Sequence, residues 1–445
     1  MILANLVILG FIHLYLLDLV LAIPVGTGFF NKRPVGWDSI IQSDYWLDQL
    51  INNSTNKVLF DSIQYSEGAF YDHATNIVGT GEFPVFNQYQ RQPYVSNGYI
   101  GSRIPNLGQG FTYDQLTPEG NSEQLSNGWP LFNKRYAGAF IAGFYNIQAK
   151  AEGTNFPELS KNGYDSFIAS VPQWTTLSLS LLRDNKVYTL DPSLPYSAIG
   201  EIQNYAQNLS LSDGIVTTEF TWLNSIYVKY TVLAHKSIVN LGVVDLQVTN
   251  LDPSSPVELE VEDSIDFNSS HRCQLTGLGH DNNGIFMTFQ PSDLSSVNGA
   301  IYSKLQCGEN IDRSNTNDTT SQGFTLKLAP GASSEISKYV GIVSSDLDPE
   351  KYTNRDDVLN FATQVATSNA ISVEKLIASH DSAWADQINA LPQITFGGNE
   401  LLTLAARSSI YHLAANTRPE AQGLTSAVGV GGLSSDSYAG MVFWD

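Results

Sequence analysis

The chain has 445 residues, of which 44 are acidic and 23 are basic, giving a formal net charge of −21. This length is sufficient for two or three domains with sizeable hydrophobic cores. Nucleic acids and anionic membrane surfaces bind clusters of Lys and Arg, so the charge argues against both as partners.

The first 22 residues predict an export signal. Residues 2–22 form an apolar run that only Asn5, Gly10, His13 and Asp18 interrupt, and it ends in the small residue Ala22. This pattern favours a cleaved signal peptide over residues 1–22; a retained anchor is the alternative, since a membrane span needs ~20 mostly apolar residues. Either way we expect the remaining chain to be exported, to the cell wall, periplasm or medium or to a vacuole. After cleavage no membrane contact is expected.

Two further features fit an exported chain. Ser or Thr stands two residues after each of five asparagines, which makes them candidate N-glycosylation sites: Asn52, Asn53, Asn208, Asn268 and Asn317. The only cysteines are Cys273 and Cys307. In an oxidising compartment these two can pair, so we predict a structural disulfide, with two buried unpaired thiols as the alternative.

From about residue 71 to 343 the dominant pattern is alternation of apolar and polar residues, which indicates half-buried strands. The clearest runs are 244–248, 257–262 and 324–328, and longer β-rich runs cover 174–182 and 215–234. Asn283-Gly284 between two such runs predicts a hairpin. Many strands without intervening helices predict a large antiparallel β-sandwich, and we assign it residues 23–343.

At about Asp346 the period changes to that of helices. Val358, Phe361 and Val365 follow helical spacing, and Asn354 or Asp356 is suited to cap that helix. A second helix places six residues on one face: Val373, Leu376, Ile377, His380, Trp384 and Ile388. A third helix, after residue 399, carries Leu402, Ala405, Ala406, Ile410 and Leu413. Residues 344–395 are therefore predicted to form a helical linker.

Several familiar motifs do not hold up. Ser379-His380-Asp381 has the letters of a hydrolase triad, but His380 and Trp384 are one helical turn apart and we interpret them as a packed pair. Gly429-Val-Gly431-Gly432 lacks the Lys-Ser/Thr of a phosphate loop. The histidines and cysteines show no metal-ligand spacing. No metal, nucleotide or other cofactor is implied.

The last residues suit a sugar ligand. Residues 431–445 run from glycines and serines to Phe443-Trp444-Asp445, with Tyr438 between. An indole covers the apolar face of a sugar ring, and a carboxylate accepts hydrogen bonds from vicinal hydroxyls. We therefore predict Tyr438, Phe443, Trp444 and Asp445 as substrate-binding residues. The alternative is a core aromatic pair at the end of a buried strand.

The string Gly-Leu-Ser-Ser-Asp-Ser-Tyr-Ala-Gly-Met-Val-Phe-Trp-Asp over residues 432–445 resembles the loop that opens the catalytic domain of glycoside hydrolase family 65. The family includes fungal acid trehalases and bacterial disaccharide phosphorylases. The resemblance implies that residues 396–445 begin an (α/α)6 barrel, incomplete in this sequence. It also implies that Phe443, Trp444 and Asp445 shape the pocket for the non-reducing glucose. The general acid and base are expected beyond Asp445, so the catalytic residues within this chain are none, and the 445 residues alone are expected to be inactive.

The fold class is therefore expected to be α+β and multidomain: an antiparallel β-sandwich, a helical linker and the first barrel helices. The implied activity is that of an acid trehalase, which hydrolyses α,α-trehalose to two glucose molecules with inversion. A maltose, kojibiose or trehalose phosphorylase is the nearest alternative, although Met441 resembles the trehalases and export disfavours phosphorolysis. A non-catalytic, secreted, glycan-binding β-sandwich is the alternative from another class.

Overall fold

The structure is a computed structural model, and it describes residues 68–85, 87, 92–113, 138–149, 164–308, 310–397 and 399–418. The predicted signal peptide therefore lies outside the described residues. Four α-helices occur in the described part: α1 (Tyr196–Ile199), α2 (Arg355–Ser368), α3 (Val373–Asn389) and α4 (Glu400–Asn416). Strands occupy most of the remainder.

The larger layer is a ten-stranded sheet in which all neighbouring strands are antiparallel. Its strands are β1 (Ala69–Asp72), β2 (Ile77–Thr80), β10 (Ile202–Ser210), β11 (Val216–Trp222), β12 (Ile226–Ala234), β13 (Leu241–Asn250), β15 (Cys273–His280), β16 (Ile285–Pro291), β17 (Gly299–Gln306) and β20 (Ser333–Ser344). Across the sheet they run β1-β2-β10-β11-β12-β13-β20-β17-β16-β15. The predicted hairpin at Asn283-Gly284 is confirmed, since it joins β15 to β16.

The second layer is a five-stranded antiparallel sheet. Its strands, in spatial order, are β18 (Asp312–Asn315), β19 (Thr319–Leu328), β14 (Val257–Asp266), β8 (Leu177–Arg183) and β9 (Lys186–Thr189). Two small sheets complete the described strands. One contains β3 (Tyr94–Ser96), β4 (Ile100–Arg103) and β5 (Ala139–Ile141), and the other contains β6 (Tyr145–Ala149) and β7 (Tyr164–Ile168).

The core lies between the two large sheets. On β14 the apolar side chains of Leu259 and Val261 are buried and the intervening glutamates are exposed, as the alternation predicted. On β13 both faces are buried: Val244 belongs to the core between the sheets, while Val243 packs with residues of the following helices. A strand that is buried on both faces has a nearly continuous run of apolar residues. In this part of the sandwich, the helices cover the face that is not buried between the sheets.

Helix α2 packs on the outer face of β20 and β17 at very short range. Of the two predicted caps, Asn354 is the one that caps its N-terminus, because the Asn354 side chain accepts hydrogen bonds from the backbone of Asp356 and Asp357. Where α2 crosses β20, a Cβ atom added to Gly341 would lie only 1.9 Å from the carbonyl oxygen of Ala362. A glycine at this position therefore lets the helix approach the sheet.

We expect Gly341→Ala to destabilise the fold by roughly 1–3 kcal/mol or more, because the added methyl group has to displace the backbone of α2. The matched control is Gly308→Ala, since a Cβ at Gly308 meets no atom within 4 Å. Urea unfolding of both variants measures the difference. Equal stability of the two variants would contradict the close approach.

Helix α3 buries the face that the spacing predicted, including Val373, Leu376, His380 and Trp384. Helix α4 departs from its predicted face, because Leu413 is 61% exposed whereas Leu404 and Tyr411 are buried. Apolar residues surround α4 on several sides, so its spacing does not select one face. Within the described residues, no helix is both long and apolar enough to cross a membrane.

A buried ion pair joins the two sheets. Lys338 on β20 and Asp263 on β14 have fully buried side chains, and Lys338 Nζ lies 2.6 Å from Asp263 Oδ1. Asp263 Oδ2 accepts hydrogen bonds from Ser303 Oγ at 2.6 Å and from Gln322 Nε2 at 2.8 Å. Lys338 Nζ also donates to the carbonyl oxygen of Thr176 at 2.8 Å. Each member of the pair therefore has at least one polar partner besides the other.

The predicted Cys273–Cys307 disulfide is wrong. Cys273, the first residue of β15, pairs with Pro291, the last residue of β16. Strand β17 begins at the same end of the sheet, because its first residue, Gly299, pairs with Phe289 of β16. Cys307 directly follows the last residue of β17, at the opposite end. The length of β17 separates them, roughly 25 Å at ~3.3 Å per residue, and a disulfide needs Cα atoms within about 7 Å. The two cysteines do not form a disulfide with each other. The sequence places both cysteines in the β-rich region, where a disulfide between them is plausible, but the strand register determines the distance between them.

The observed order, an antiparallel β-sandwich followed by helices, is the fold class that the sequence predicted. Of the range assigned to the barrel, the structure describes α4 and its flanking residues. The six-fold barrel itself therefore stays a prediction.

Candidate functional site

The predicted substrate-binding residues Tyr438, Phe443, Trp444 and Asp445 lie outside the described residues, as do the sequons at Asn52 and Asn53. The described chain ends at Arg418, directly after α4. The described residues that come nearest to them in the chain lie where α4 meets the sandwich.

Six side chains join the C-terminal half of α4 to the sandwich and to α3, and we call them the docking cluster: Tyr94, Ser96, Lys236, His380, Trp384 and Tyr411. All six are almost completely buried.

Strand β3 holds α4 through hydrogen bonds to its backbone and side chains. Ser96 Oγ donates to the carbonyl oxygen of Ala415 at 2.9 Å, and Tyr411 Oη donates to the carbonyl oxygen of Tyr94 at 2.7 Å. The Tyr94 hydroxyl also contacts His412 Nδ1. These bonds connect residues more than 300 positions apart, so they fix one end of the described chain against the other.

Lys236 binds the C-terminus of α4. Its Nζ donates to the carbonyl oxygens of Ala414 at 2.6 Å and Thr417 at 2.9 Å. It also lies 4.5 Å from the centre of the Trp384 ring, a cation–π distance. Carbonyl groups at a helix C-terminus carry partial negative charge and lack intrahelical partners, so an ammonium group satisfies them. Burial lowers the pKa of Lys236 to about 7, so the amine is charged in acid solution.

Two histidines connect α3 to the loop after β12, and each is held in one neutral tautomer. His380 Nδ1 accepts from the backbone N–H of Lys236 at 3.1 Å, while Nε2 donates to the carbonyl oxygen of Asp213 at 2.6 Å. His235 Nδ1 accepts from Ile238 N–H at 3.0 Å, and its Nε2 donates to Leu376 O at 3.1 Å. Burial lowers the pKa of His235 to about 4 and that of His380 to about 3. A second proton would remove the Nδ1 acceptor that each loop N–H needs.

Trp384 fills the space between α3, α4 and the turn before β11. Its ring stacks on Tyr411 with centroids 5.8 Å apart and lies 6.2 Å from the His380 ring, which confirms the predicted packed pair. A Cβ at Gly214, whose φ is +70°, would lie 2.7 Å from the Trp384 ring, so this glycine permits both the turn and the contact.

At the end of α4 the chain lies directly against the sandwich. A Cβ at Gly98, whose φ is +90°, would lie 2.5 Å from the carbonyl carbon of Thr417. The Arg418 guanidinium lies 4.8 Å from the centre of the Tyr99 ring. Asp346 is close enough for its charge to act on both Tyr99 and Arg418; burial raises the pKa of Asp346, and the positive charge of Arg418 opposes that rise. Thr417 and Arg418, at the end of the described chain, therefore pack against the sandwich.

Within the described residues this region anchors a helix and contains no complete catalytic arrangement. Asp213 and Asp381 both have raised pKa values because of burial, but the Asp213 side chain accepts from Ile215 N–H at 3.0 Å and so stabilises its own turn. No group of three His, Cys, Asp or Glu side chains is placed to bind a metal in the described part of the chain. The sequence pointed to His380 and Trp384 but not to Lys236, Tyr94 or Ser96, because no periodic pattern marks a contact between distant segments.

Asp245 lies on the same face of β13 as Val243, and we expect its ionisation to make the stability of the protein depend on pH. The side chain is 4% exposed, accepts from Ser337 Oγ at 2.9 Å, and lies near Glu335 and Glu374. Burial, opposed by that hydrogen bond, raises the pKa of Asp245 to about 6 from its ordinary 3.8. Between these two values the folded state keeps a proton that the unfolded chain has lost, so stability rises as pH falls through this window.

Asp245→Asn should therefore stabilise the protein at neutral pH by about 2–3 kcal/mol, at about 1.4 kcal/mol per pKa unit, because it removes the cost of a buried charge. The gain should vanish below about pH 4, where the wild-type carboxyl is protonated in both states. Urea unfolding across this pH range measures it. Asp312→Asn, at an exposed position on β18, is the control. A gain in stability that does not change with pH would contradict the raised pKa of Asp245.

The chain resembles known proteins in sequence and fold. The family model described as glycosyl hydrolase family 65, N-terminal domain, matches residues 85–387. The chain is 58% identical over 402 residues to the cell wall acid trehalase of Candida albicans, covering 90% of this chain and 37% of that protein. It is 42% identical over 419 residues to the periplasmic acid trehalase of Saccharomyces cerevisiae, covering 88% and 33%. The chain thus spans about a third of the length of these curated relatives.

Among solved structures, a putative kojibiose phosphorylase from the human microbiome superposes with a TM-score of 0.62 at 14% sequence identity. The match covers 86% of this chain and 47% of that one, and it supports the sandwich-and-helices fold. Because the family match spans more than half of the residues, the chain belongs to glycosyl hydrolase family 65.

Proposed function

We propose that this chain forms part of an exported acid trehalase that hydrolyses α,α-trehalose to two glucose molecules. The observation that carries the proposal is the 58% identity, over 90% of the chain, to a cell wall acid trehalase. The names of the relatives also place them in the cell wall, the periplasm or the medium, which agrees with the export signal and the sequons.

In this proposal Tyr438, Phe443, Trp444 and Asp445 hold the non-reducing glucose. The Trp444 indole covers the apolar ring face, and the Asp445 carboxylate accepts hydrogen bonds from sugar hydroxyls. The docking cluster fixes α4, the described helix that precedes these residues in the chain. We propose residues 396–445 as the beginning of the catalytic domain, after the sandwich (23–343) and linker (344–395).

The general acid and base belong, in this proposal, to polypeptide beyond Asp445. Inversion needs two carboxyl groups ~6.5–9.5 Å apart on opposite sides of the scissile bond. One protonates the glycosidic oxygen while the other removes a proton from the attacking water. Hydrolysis of α,α-trehalose with inversion initially releases one α- and one β-glucose.

Trehalose hydrolysis by the chain alone and by the chain joined to its downstream coding sequence tests the proposal. We expect glucose release from the longer protein only, without added phosphate, and NMR should show equal initial α- and β-anomers. Glucose 1-phosphate that forms only with phosphate would instead identify a phosphorylase. Sugar binding without turnover by the longer protein would identify a non-catalytic glycan-binding protein. Turnover by the 445 residues alone would refute the placement of the acid and base.

Asp445→Asn in the longer protein should lower kcat/KM by about 10- to 150-fold, because a charged hydrogen bond to a hydroxyl contributes about 1.5–3 kcal/mol. Asp312→Asn removes the same charge at an exposed position of the sandwich and should leave kcat/KM unchanged. Equal kinetics for the two variants would show that Asp445 does not contact the substrate.

A further inference from the structure

Three of the five predicted glycosylation sites lie within the described residues, and the structure gives them different surroundings. N-glycosylation attaches a sugar to the Nδ2 atom of asparagine in Asn-X-Ser/Thr. The modified amide keeps one N–H where it had two. The relevant questions are therefore how exposed each side chain is and how many of its N–H groups are already used.

Asn208 lies inside the ten-stranded sheet. It is on β10, paired with Gly79 of β2 on one side and with Thr217 of β11 on the other. Its Oδ1 atom is buried, and a Cβ at Gly79 would lie only 2.3 Å from that atom. Asn208 is therefore half-buried, and its amide oxygen is packed against the neighbouring strand β2.

Asn268 is exposed, but both of its amide N–H groups are used. Its Nδ2 donates to Asp266 Oδ1 at 3.0 Å and to Asp318 Oδ2 at 2.6 Å. Both acceptors are carboxylates, so these are charge-assisted bonds, about twice as strong as neutral ones. Attachment of a sugar would remove one of these two charge-assisted bonds.

Asn317 lies at the tip of that hairpin. The turn is closed by a hydrogen bond from Thr316 N to Thr319 O at 2.8 Å, which leaves Asn317 and Asp318 at its two central positions. Phe267 N donates to Asp318 O at 2.9 Å and holds the turn against the sandwich. The Asn317 side chain is exposed, and its amide makes no hydrogen bond to another described residue. The hydroxyl required by the sequon is supplied by Thr319.

We propose that Asn317 carries an N-linked glycan in the exported protein and that Asn208 and Asn268 do not. This inference rests on the proposed export. The donor is a lipid-linked diphospho-oligosaccharide: the Asn317 Nδ2–C1 bond forms, the C1–oxygen bond to the diphosphate breaks, and Nδ2 loses one proton as the lipid diphosphate leaves. No oxidation or reduction is involved.

The position of this glycan gives it a structural effect. Asn317 adjoins β18, the edge strand of the five-stranded sheet. An exposed edge strand presents unpaired backbone groups to other chains, and proteins protect such edges with charges, bulges or covering groups. A bulky, hydrated glycan at the tip of β18 would hinder edge-to-edge pairing.

The test uses the full chain secreted from a eukaryotic host in two forms, one with its own first 22 residues and one with an established signal peptide in their place. Peptide N-glycosidase treatment in heavy-oxygen water followed by peptide mass spectrometry marks each occupied asparagine. We expect the mark at position 317 and none at 208 or 268. Asn317→Gln should remove one glycan from the intact mass, and the matched Asn268→Gln should remove none.

The two signal forms separate the two claims. If only the form with the substituted signal peptide is secreted, the proposed export is contradicted. Glycosylation of Asn317 is then measured in that secreted form. An unmodified Asn317 in that secreted form, or a glycan on Asn208 or Asn268, would overturn the inference. Asn317→Gln is also expected to increase aggregation on concentration, measured by light scattering.

Discussion

Lys338→Met is expected to destabilise the sandwich by about 3–5 kcal/mol, because it leaves the Asp263 carboxylate buried without its cation. Both side chains are 0% exposed, and the Nζ–Oδ1 distance is 2.6 Å. Water does not reach Asp263 to compensate, and Ser303 and Gln322 satisfy only its other oxygen. Burial lowers the pKa of Lys338 even beside Asp263, so the ammonium also depends on this carboxylate.

Urea unfolding measures this effect, and a double-mutant cycle assigns it to the pair. Asp263→Leu alone should cost as much as Lys338→Met, while the double variant should cost much less than their sum, because two buried groups without charge need no pairing. The control is the exposed pair Lys327–Glu258, whose side chains are 74% and 60% exposed. Lys327→Met should change stability by at most about 1 kcal/mol. Additive costs in the cycle would contradict a coupled pair.

Trp384→Ala is expected to release α4 from the sandwich at a cost of about 3–5 kcal/mol, the usual range for removing a buried tryptophan. The indole contacts Tyr411, His380, the turn at Gly214 and the Lys236 ammonium. Its loss leaves a cavity where three elements meet and exposes Lys236 to water. The effect should therefore be larger on α4 than on the strands.

Hydrogen exchange measured by mass spectrometry distinguishes local release from global unfolding. Amides of residues 400–416 should exchange faster in Trp384→Ala, while those of β12, β13 and β20 keep most of their protection. Leu413→Ala on the same helix is the control, since Leu413 is 61% exposed and should change stability by no more than about 0.5 kcal/mol. Unchanged protection of α4 in Trp384→Ala would show that the docking cluster does not hold the helix.

These two variants bear differently on the proposed function. The Lys338–Asp263 pair lies between the sheets, so its loss should lower the amount of folded protein rather than its affinity for sugar. Trp384 packs against α4, and the predicted substrate-binding residues follow α4 in the chain. Its loss in the longer protein should therefore raise KM for trehalose as well as lower stability.

Much of the fold follows from local patterns in the sequence. Alternation in 257–262 predicted a half-buried strand, and β14 buries Leu259 and Val261 while exposing the glutamates between them. Asn354 and Asp356 were the two predicted caps of a helix, and Asn354 is the residue that caps it. The family was also predicted, from residues 432–445, and the match to residues 85–387 confirms it with a different part of the chain. Strands and helices can be predicted from such periodic patterns because the polarity of each residue indicates whether its own side chain is buried.

What the sequence determined by itself was thus the type of the main elements, the β-to-helix order and the family. The tertiary structure alone decided which strands are neighbours, and with them the separation of Cys273 from Cys307 and the pairing of Lys338 with Asp263. It also decided which face of α4 is buried and that Lys236 binds a helix end 178 residues away. The physical reason is that periodicity records whether a side chain is buried but not what lies opposite it. That second fact depends on strand register and helix docking, which the free energy of the whole packed chain determines.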